Sequence, residues 1–351
     1  MALALAYGAQ TLHWWRRHLL LAAFAMGAVV AGMFVPLPPI TAFLAAAPYI
    51  DASLMLVVAF CVLGPETALA TLARGVVVLL LLNLASAAVP SVSVMVGEFA
   101  GRFRGLTAHR NDLAQLAYTG ALLIVAARQW LPRVWVAVGL VAAVALIAGA
   151  RSVQGILLLP LGLLVYLGAG RLRVLKHPLV LLTALALVGA VAAVWEQFGS
   201  LDSFLRYFGR DATFTGRDRI WALSLHLLQH MPFEGYGPGQ IGSGVLSESL
   251  LQRFGLGTLF GSAHNAYLEA FLTYGWFGGA LFMALLLAGA SEIVRAVLRG
   301  MNTYTALSLA LLLVALVGGL TASEKLFLPG FGWFTFVLAV VLAGSRTDFK
   351  K

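Results

Sequence analysis

Apolar stretches of about twenty residues recur along most of this chain, each long enough to cross a hydrocarbon core of about 30 Å as a helix. They fall at roughly 18–35, 40–63, 68–89, 112–127, 134–150, 153–169, 178–195, 266–290, 303–321 and 327–344, about ten spans by the length a bilayer demands. Pro48 and Asp51 interrupt the second stretch, which predicts either one span or a short re-entrant piece, Ile40–Tyr49, followed by a span. Composition agrees: 61% of the 351 residues are hydrophobic and 11% are charged, against about 45–50% and about 25% in a soluble domain. The expected fold is an all-α polytopic membrane protein with a helical periplasmic cap. The single Cys61 excludes an intrachain disulfide. The first stretch lacks a small-x-small cleavage site and reads as an uncleaved helix.

Basic residues near span ends set the orientation. Arg128 and Arg133, then Arg171, Arg173 and Lys176, then Arg295 and Arg299, and finally Arg346, Lys350 and Lys351 fall on one side. Both termini are therefore expected in the cytoplasm. The basic residues left outside are almost all arginines, among them Arg110, Arg151, Arg217 and Arg219. Arginine presents a planar fork of donors that matches phosphate and carboxylate oxygens. Arg110 and Arg151 border apolar spans, where an isolated charge is costly and a partner is expected. The net charge of +9 reflects cytoplasmic anchoring and these arginines, and implies no nucleic-acid partner. Three regions follow: an N-terminal bundle of about seven spans over 1–196, a periplasmic loop or cap over 197–265, and a C-terminal group of about three spans over 266–351.

The cap carries the densest polar motifs. In Thr215-Gly216-Arg217-Asp218-Arg219-Ile220-Trp221, Thr215 and Asp218 have capping-box spacing, so a helix is expected to run to about Met231 and stop before Pro232. Arg217 and Arg219 then lie in its first turn, where the helix dipole already favours an anion. This reads as a phosphate site; neutralisation by Asp202, Asp211 or Asp218 is the alternative. Gly237, Gly239 and Gly242 spell G-x-G-x-x-G, but a dinucleotide fingerprint follows a strand and opens a helix, and here Pro238 breaks the motif. No H-E-x-x-H, cysteine pair or dense carboxylate cluster suggests a metal or another cofactor.

His264 and Asn265 stand where the long polar loop meets a membrane helix. At that positive end the neutral imidazole is favoured over the imidazolium, which suits a general base. Asn265 and Glu269 are four apart on one face, placed to orient an acceptor sugar. A histidine that merely caps the helix is the alternative reading, and Glu324 is an alternative base.

Taken together, Gly216-Arg217-x-x-x-Trp221, Pro232-x-x-Gly235-x-Gly237 and His264-Asn265-x-x-Leu268 with Gly275-x-x-Gly278 resemble the signature of the O-antigen ligase and polysaccharide polymerase superfamily. Arg104-Gly105-Leu106-Thr107-Ala108-His109-Arg110-Asn111-Asp112 resembles the His-Lys-Asn loop of exopolysaccharide polymerases in that group. Arg151-Ser152 falls where relatives carry a Ser-Arg or Ser-Lys pair, in altered order. The resemblance covers about residues 100–345. It implies a metal-independent, GT-C-like glycosyltransferase of the bacterial inner membrane with its active site facing the periplasm. Its donor would be a glycan on undecaprenyl diphosphate. Its acceptor would be a hydroxyl of a glycolipid, of a second lipid-linked glycan or of a protein.

In that frame a lipid diphosphate leaves with charge stabilisation from Arg217, Arg219, Arg151 and Arg110. His264 takes the acceptor proton. The competing class is a transporter or flippase of the same lipid-linked glycans. Transporters carry ionisable groups near the midplane and related halves, whereas these spans hold few acids and no repeat between halves is evident.

Overall fold

The computed structural model describes residues 39–95, 101–171, 217–237, 248–256, 262–321 and 331–348. Ten α-helices follow one another there: α1 (Pro39–Ala85), α2 (Pro90–Ser93), α3 (Arg110–Ala127), α4 (Arg133–Ala150), α5 (Val153–Arg171), α6 (Arg217–His230), α7 (Glu248–Arg253), α8 (Ala266–Arg299), α9 (Thr303–Thr321) and α10 (Phe331–Asp348). Among the described residues the only β contact is an isolated bridge between Val94 and Phe103. Four helical segments there are long and apolar enough to cross a membrane: Ser53–Ala88, Arg133–Ala150, Ala266–Arg299 and Thr303–Leu320. Val153–Ala169 and Phe331–Gly344 are shorter apolar helices. The chain is an all-α polytopic membrane protein.

Several expected spans look different in detail. Those at 18–35 and 178–195 lie outside the described residues, as do Thr215, Gly239, Gly242 and Glu324. The pair at 40–63 and 68–89 merges into α1, which ends at Ala85 and is followed by a 3-10 turn, Ser86–Ala88; its helical geometry breaks at Gly64 (φ 74°, ψ 161°). Neither Pro48 nor Asp51 interrupts it, so the short re-entrant piece is not formed.

The expected span at 112–127 is α3, and it is the centre of the bundle. Every residue of α3 except Asp112 and Val125 is buried, and the helix packs against α1, α4, α5, α9 and α10. α3 is not among the segments apolar enough to cross a membrane, and its burial explains how a helix carrying Arg110, Asn111, Gln115 and Thr119 is held inside the bundle. It faces protein on all sides, where polar groups find partners that lipid does not offer. Small residues allow the close approach: a Cβ on Gly139 would crowd Val77 and Ile124 at 2.7 and 2.8 Å, and one on Gly162 would sit 2.8 Å from Leu122.

The expected span at 266–290 does not run straight. α8 has 34 residues, which would be about 50 Å of continuous helix. α9 follows after only Gly300–Asn302 and needs about 20 Å to reach Leu316. Yet the Tyr267 hydroxyl donates to the Leu316 carbonyl at 2.8 Å, so the first turns of α8 must come back down beside α9. The reversal occurs at Tyr274 (φ −115°, ψ 16°) and Gly275 (φ 68°, ψ −169°). Phe271 consequently lies against Gly279, eight positions on, where a side chain would collide with its ring. That contact is out of reach on a straight helix.

The reversal frees backbone groups, and the segment after α6 satisfies them. Tyr236 N–H donates to the Leu272 carbonyl at 2.8 Å, Gly237 N–H to the Thr273 carbonyl at 2.9 Å, and Trp276 N–H to the Phe233 carbonyl at 3.1 Å. Gly235 and Gly275 meet with no room for a Cβ on either. A small second core of Ile220, Leu223, Leu227, Leu251, Ala263 and Leu272 joins α6 and α7 to the reversed turns.

Candidate active site

The site is assembled at the end of the bundle where α4 meets α5 and where α8 begins. α3 starts with a capping box: His109 accepts the Asn111 N–H on Nδ1 at 3.2 Å, and Asp112 accepts the His109 N–H at 3.1 Å. This fixes the direction of Arg110, whose residue is only 2% exposed. Arg110 Nη1 donates to the Arg151 carbonyl at 2.9 Å. A cation thus meets a carbonyl just past the negative end of α4, where both dipole and hydrogen bonding favour it. Beside it, Ser152 Oγ donates to Asn111 Oδ1 at 3.1 Å.

Arg151 closes α4 in the left-handed conformation, φ 46° and ψ 41°. A non-glycine residue pays about 1–2 kcal/mol for that geometry, and the charged hydrogen bond from Arg110 offsets it. Arg151 itself is exposed. The buried arginine therefore holds the backbone of the exposed one.

Among the described residues His264 is the other left-handed non-glycine residue, at φ 48°. It is half-buried, its N–H donates to Ser262 Oγ at 3.3 Å, and its Nδ1 faces the same oxygen at 3.5 Å. Asn265 caps α8 with Oδ1, accepting from Tyr267 N–H at 3.0 Å and Leu268 N–H at 3.1 Å. Glu269, 5% exposed, accepts the Ala263 N–H at 2.6 Å. A charged acceptor on a buried amide is among the stronger hydrogen bonds, and it fixes the residue immediately before His264.

These two assemblies meet on the last turn of α9. Gln154 Nε2 donates to the Gly318 carbonyl at 3.1 Å, and Asn265 Nδ2 donates to the Leu320 carbonyl at 3.2 Å. Both acceptors lie in the last four residues of α9, where helix carbonyls are open to side-chain donors. The Arg151 turn and the His264 turn therefore hang from one helix end, on carbonyls about 3 Å apart along the axis.

The cap arginines sit at the start of α6, as the capping pattern predicts, and α6 ends at His230, just before Pro232. Arg217 is half-buried and Arg219 exposed. Arg219 Nη1 donates to the Gly255 carbonyl at 2.9 Å, tying α6 to the end of α7. Through Ile220, Leu223 and Leu227 the same helix packs on Ala263, next to His264. The Tyr236 hydroxyl donates to the Leu227 carbonyl at 3.1 Å, and burial raises its pKa above the ordinary phenol value. Among the described residues no three His, Cys, Asp or Glu side chains are placed to hold a metal ion.

Arg110, Arg151, Asn265, Glu269 and His264 are thus brought to one end of the bundle, with Arg217 and Arg219 on a helix docked beside them. The sequence reasoning missed Gln154, Ser262 and the Gly318–Leu320 acceptors. Gln154 alone left a trace, as a lone amide at the start of an apolar helix.

A buried polar core helix, a reversed helix and a docked cap define a membrane protein with its polar machinery gathered at one end. Residues 136–283 match the family model for O-antigen ligase, a match over part of the chain that supports its likeness to the O-antigen ligase superfamily. The match spans Arg151, Arg217, Arg219, His264, Asn265 and Glu269, and stops short of Arg110. No curated protein matches the chain. That likeness points to glycan transfer at the membrane, of the O-antigen ligase or polymerase type.

Proposed function

We propose that the chain transfers a glycan from undecaprenyl diphosphate to an acceptor hydroxyl at the periplasmic face of the bacterial inner membrane, without a metal ion and with inversion. The acceptor oxygen attacks the anomeric carbon, the bond to the phosphate oxygen breaks, and the diphosphate leaves with the electron pair. His264 takes the hydroxyl proton. Arg151, Arg217 and Arg219 supply charge to the leaving diphosphate, and cations already held in place stabilise such charge at little reorganisation cost. Arg110 contributes from below, through the Arg151 backbone. Asn265 and Glu269 set the posture of the His264 turn on the acceptor side.

The observation that carries this reading is the shared anchorage of the Arg151 and His264 turns on the end of α9. It supports a shared site for an exposed cation and an imidazole, since the acceptors of the two turns, Gly318 and Leu320, lie on the same last turn of α9.

The test is transfer from a synthetic undecaprenyl-diphosphate glycan by purified protein in EDTA. Wild type is compared with His264→Ala and Arg217→Ala, with melting temperatures checking that the variants fold. Loss of product in both supports the reading, and product mass identifies the acceptor class. Wild type that makes no product yet moves the lipid across liposomes would replace it with transport.

A further inference from the structure

Gln154 lies in the first turn of α5, within an otherwise apolar helix. A side-chain amide there must find a partner or bear the cost of desolvation. Its Nε2 finds the Gly318 carbonyl, 164 residues away in sequence, at 3.1 Å. Gly318 is buried and carries no side chain to screen that oxygen from the half-buried amide. The neighbouring acceptor, Leu320, is filled by Asn265, and Leu316 further down accepts from Tyr267. α9 therefore receives side-chain donors from both arms of the site. The link from Gln154 to Arg151 is three residues of chain, and that from Asn265 to His264 is one.

We propose that Gln154 is a positioning residue: its amide pins the Arg151 turn to the same helix end that carries Asn265, and so sets the separation of Arg151 from His264. The inference rests on the reading that Arg151 and His264 act on one donor–acceptor pair. Arg110 and Ser152–Asn111 fix the Arg151 turn to α3. Gln154 refers it to the end of α9, on which Asn265 of the His264 turn also hangs.

The experiment uses the full chain in nanodiscs and measures transfer from an undecaprenyl-diphosphate glycan. Gln154→Met keeps the volume and removes the donor; Gln154→Lys restores a donor of similar reach. Loss of one directed hydrogen bond is expected to lower kcat about tenfold in Gln154→Met, with KM for the donor lipid little changed. Gln154→Lys recovers part of that loss. In an Arg151→Ala background, Gln154→Met should add nothing further, because there is no longer a side chain to place.

Wild-type kcat in Gln154→Met overturns the positioning role. So does a tenfold loss that persists unchanged on top of Arg151→Ala, since that marks a general structural effect. Full activity of Arg151→Ala instead sinks the site reading itself, and the two failures are thereby told apart. Should Gln154→Met fail to fold, Gln154→Asn, which keeps the amide but withdraws it by one methylene, runs the same cycle.

Discussion

Replacing Gly275 with alanine attacks the point where the cap is fastened to the reversed helix. Gly275 sits at φ 68° and ψ −169°, a region that costs a residue with a side chain about 1–3 kcal/mol. Its new Cβ would also run into the Phe233 carbonyl. That contact is backbone on backbone, so the 233–237 segment must lift away. Three hydrogen bonds go with it, from Tyr236 to Leu272, from Gly237 to Thr273 and from Trp276 to Phe233. At about 1 kcal/mol net for each bond, the docking loses about 3 kcal/mol beyond the conformational strain. The readout is hydrogen exchange of the amides at 233–237 and 272–276 in detergent. Exchange should accelerate about a hundredfold from the lost bonds. Gly64→Ala is the control, because Gly64 has a similar backbone conformation (φ 74°, ψ 161°) but nothing within 4 Å of its Cβ. It pays the strain and leaves the cap amides protected. Unchanged protection in Gly275→Ala would refute the docking geometry.

Two further outcomes follow from the same geometry. Glu269→Leu leaves the Ala263 N–H buried without its acceptor and should destabilise the fold by about 1–3 kcal/mol, read by thermal melting; Glu269→Gln keeps an oxygen and should lose much less. Equal melting of the two variants would remove Glu269 from the positioning of His264. The Tyr236 phenol has its folded pKa raised by burial, so its contribution to stability is present below the ordinary value of 10.0 and is lost as pH climbs through the raised one. Alkaline unfolding of the cap, followed by exchange at 232–237, should therefore begin above about pH 10. Tyr236→Phe should flatten that limb, and an unaltered limb would assign it to another group.

The all-α class and several helices were legible because lipid imposes a length and a composition on whatever crosses it. α4 and α9 begin and end within a few residues of where apolar runs meet Arg133, Arg151 and Thr303. The stop of α6 at His230 was legible in Pro232. The reversal within α8 was not. Gly275-x-x-Gly278-Gly279 reads equally well as a close helix contact, and the groups that satisfy the broken turn come from residues 233–237, about forty positions earlier. Arg110 and Arg151 stood out in the sequence as charges needing partners. That one of them holds the backbone of the other is a tertiary fact, set by where α3 meets the end of α4. Gln154 had no motif around it, and its meaning depends wholly on Gly318.

The burial of α3 also constrains the order in which this protein is made. A helix that begins Arg110-Asn111-Asp112 and continues through Gln115 and Thr119 is poorly soluble in lipid by itself. The Arg110 guanidinium finds the Arg151 carbonyl only after forty further residues have been synthesised. Until then α3 has to be sheltered, with α1 already in place on one side and α4 arriving on the other. The helix at the heart of the bundle is thus the one whose polar residues depend most on the helices around it, α4 above all.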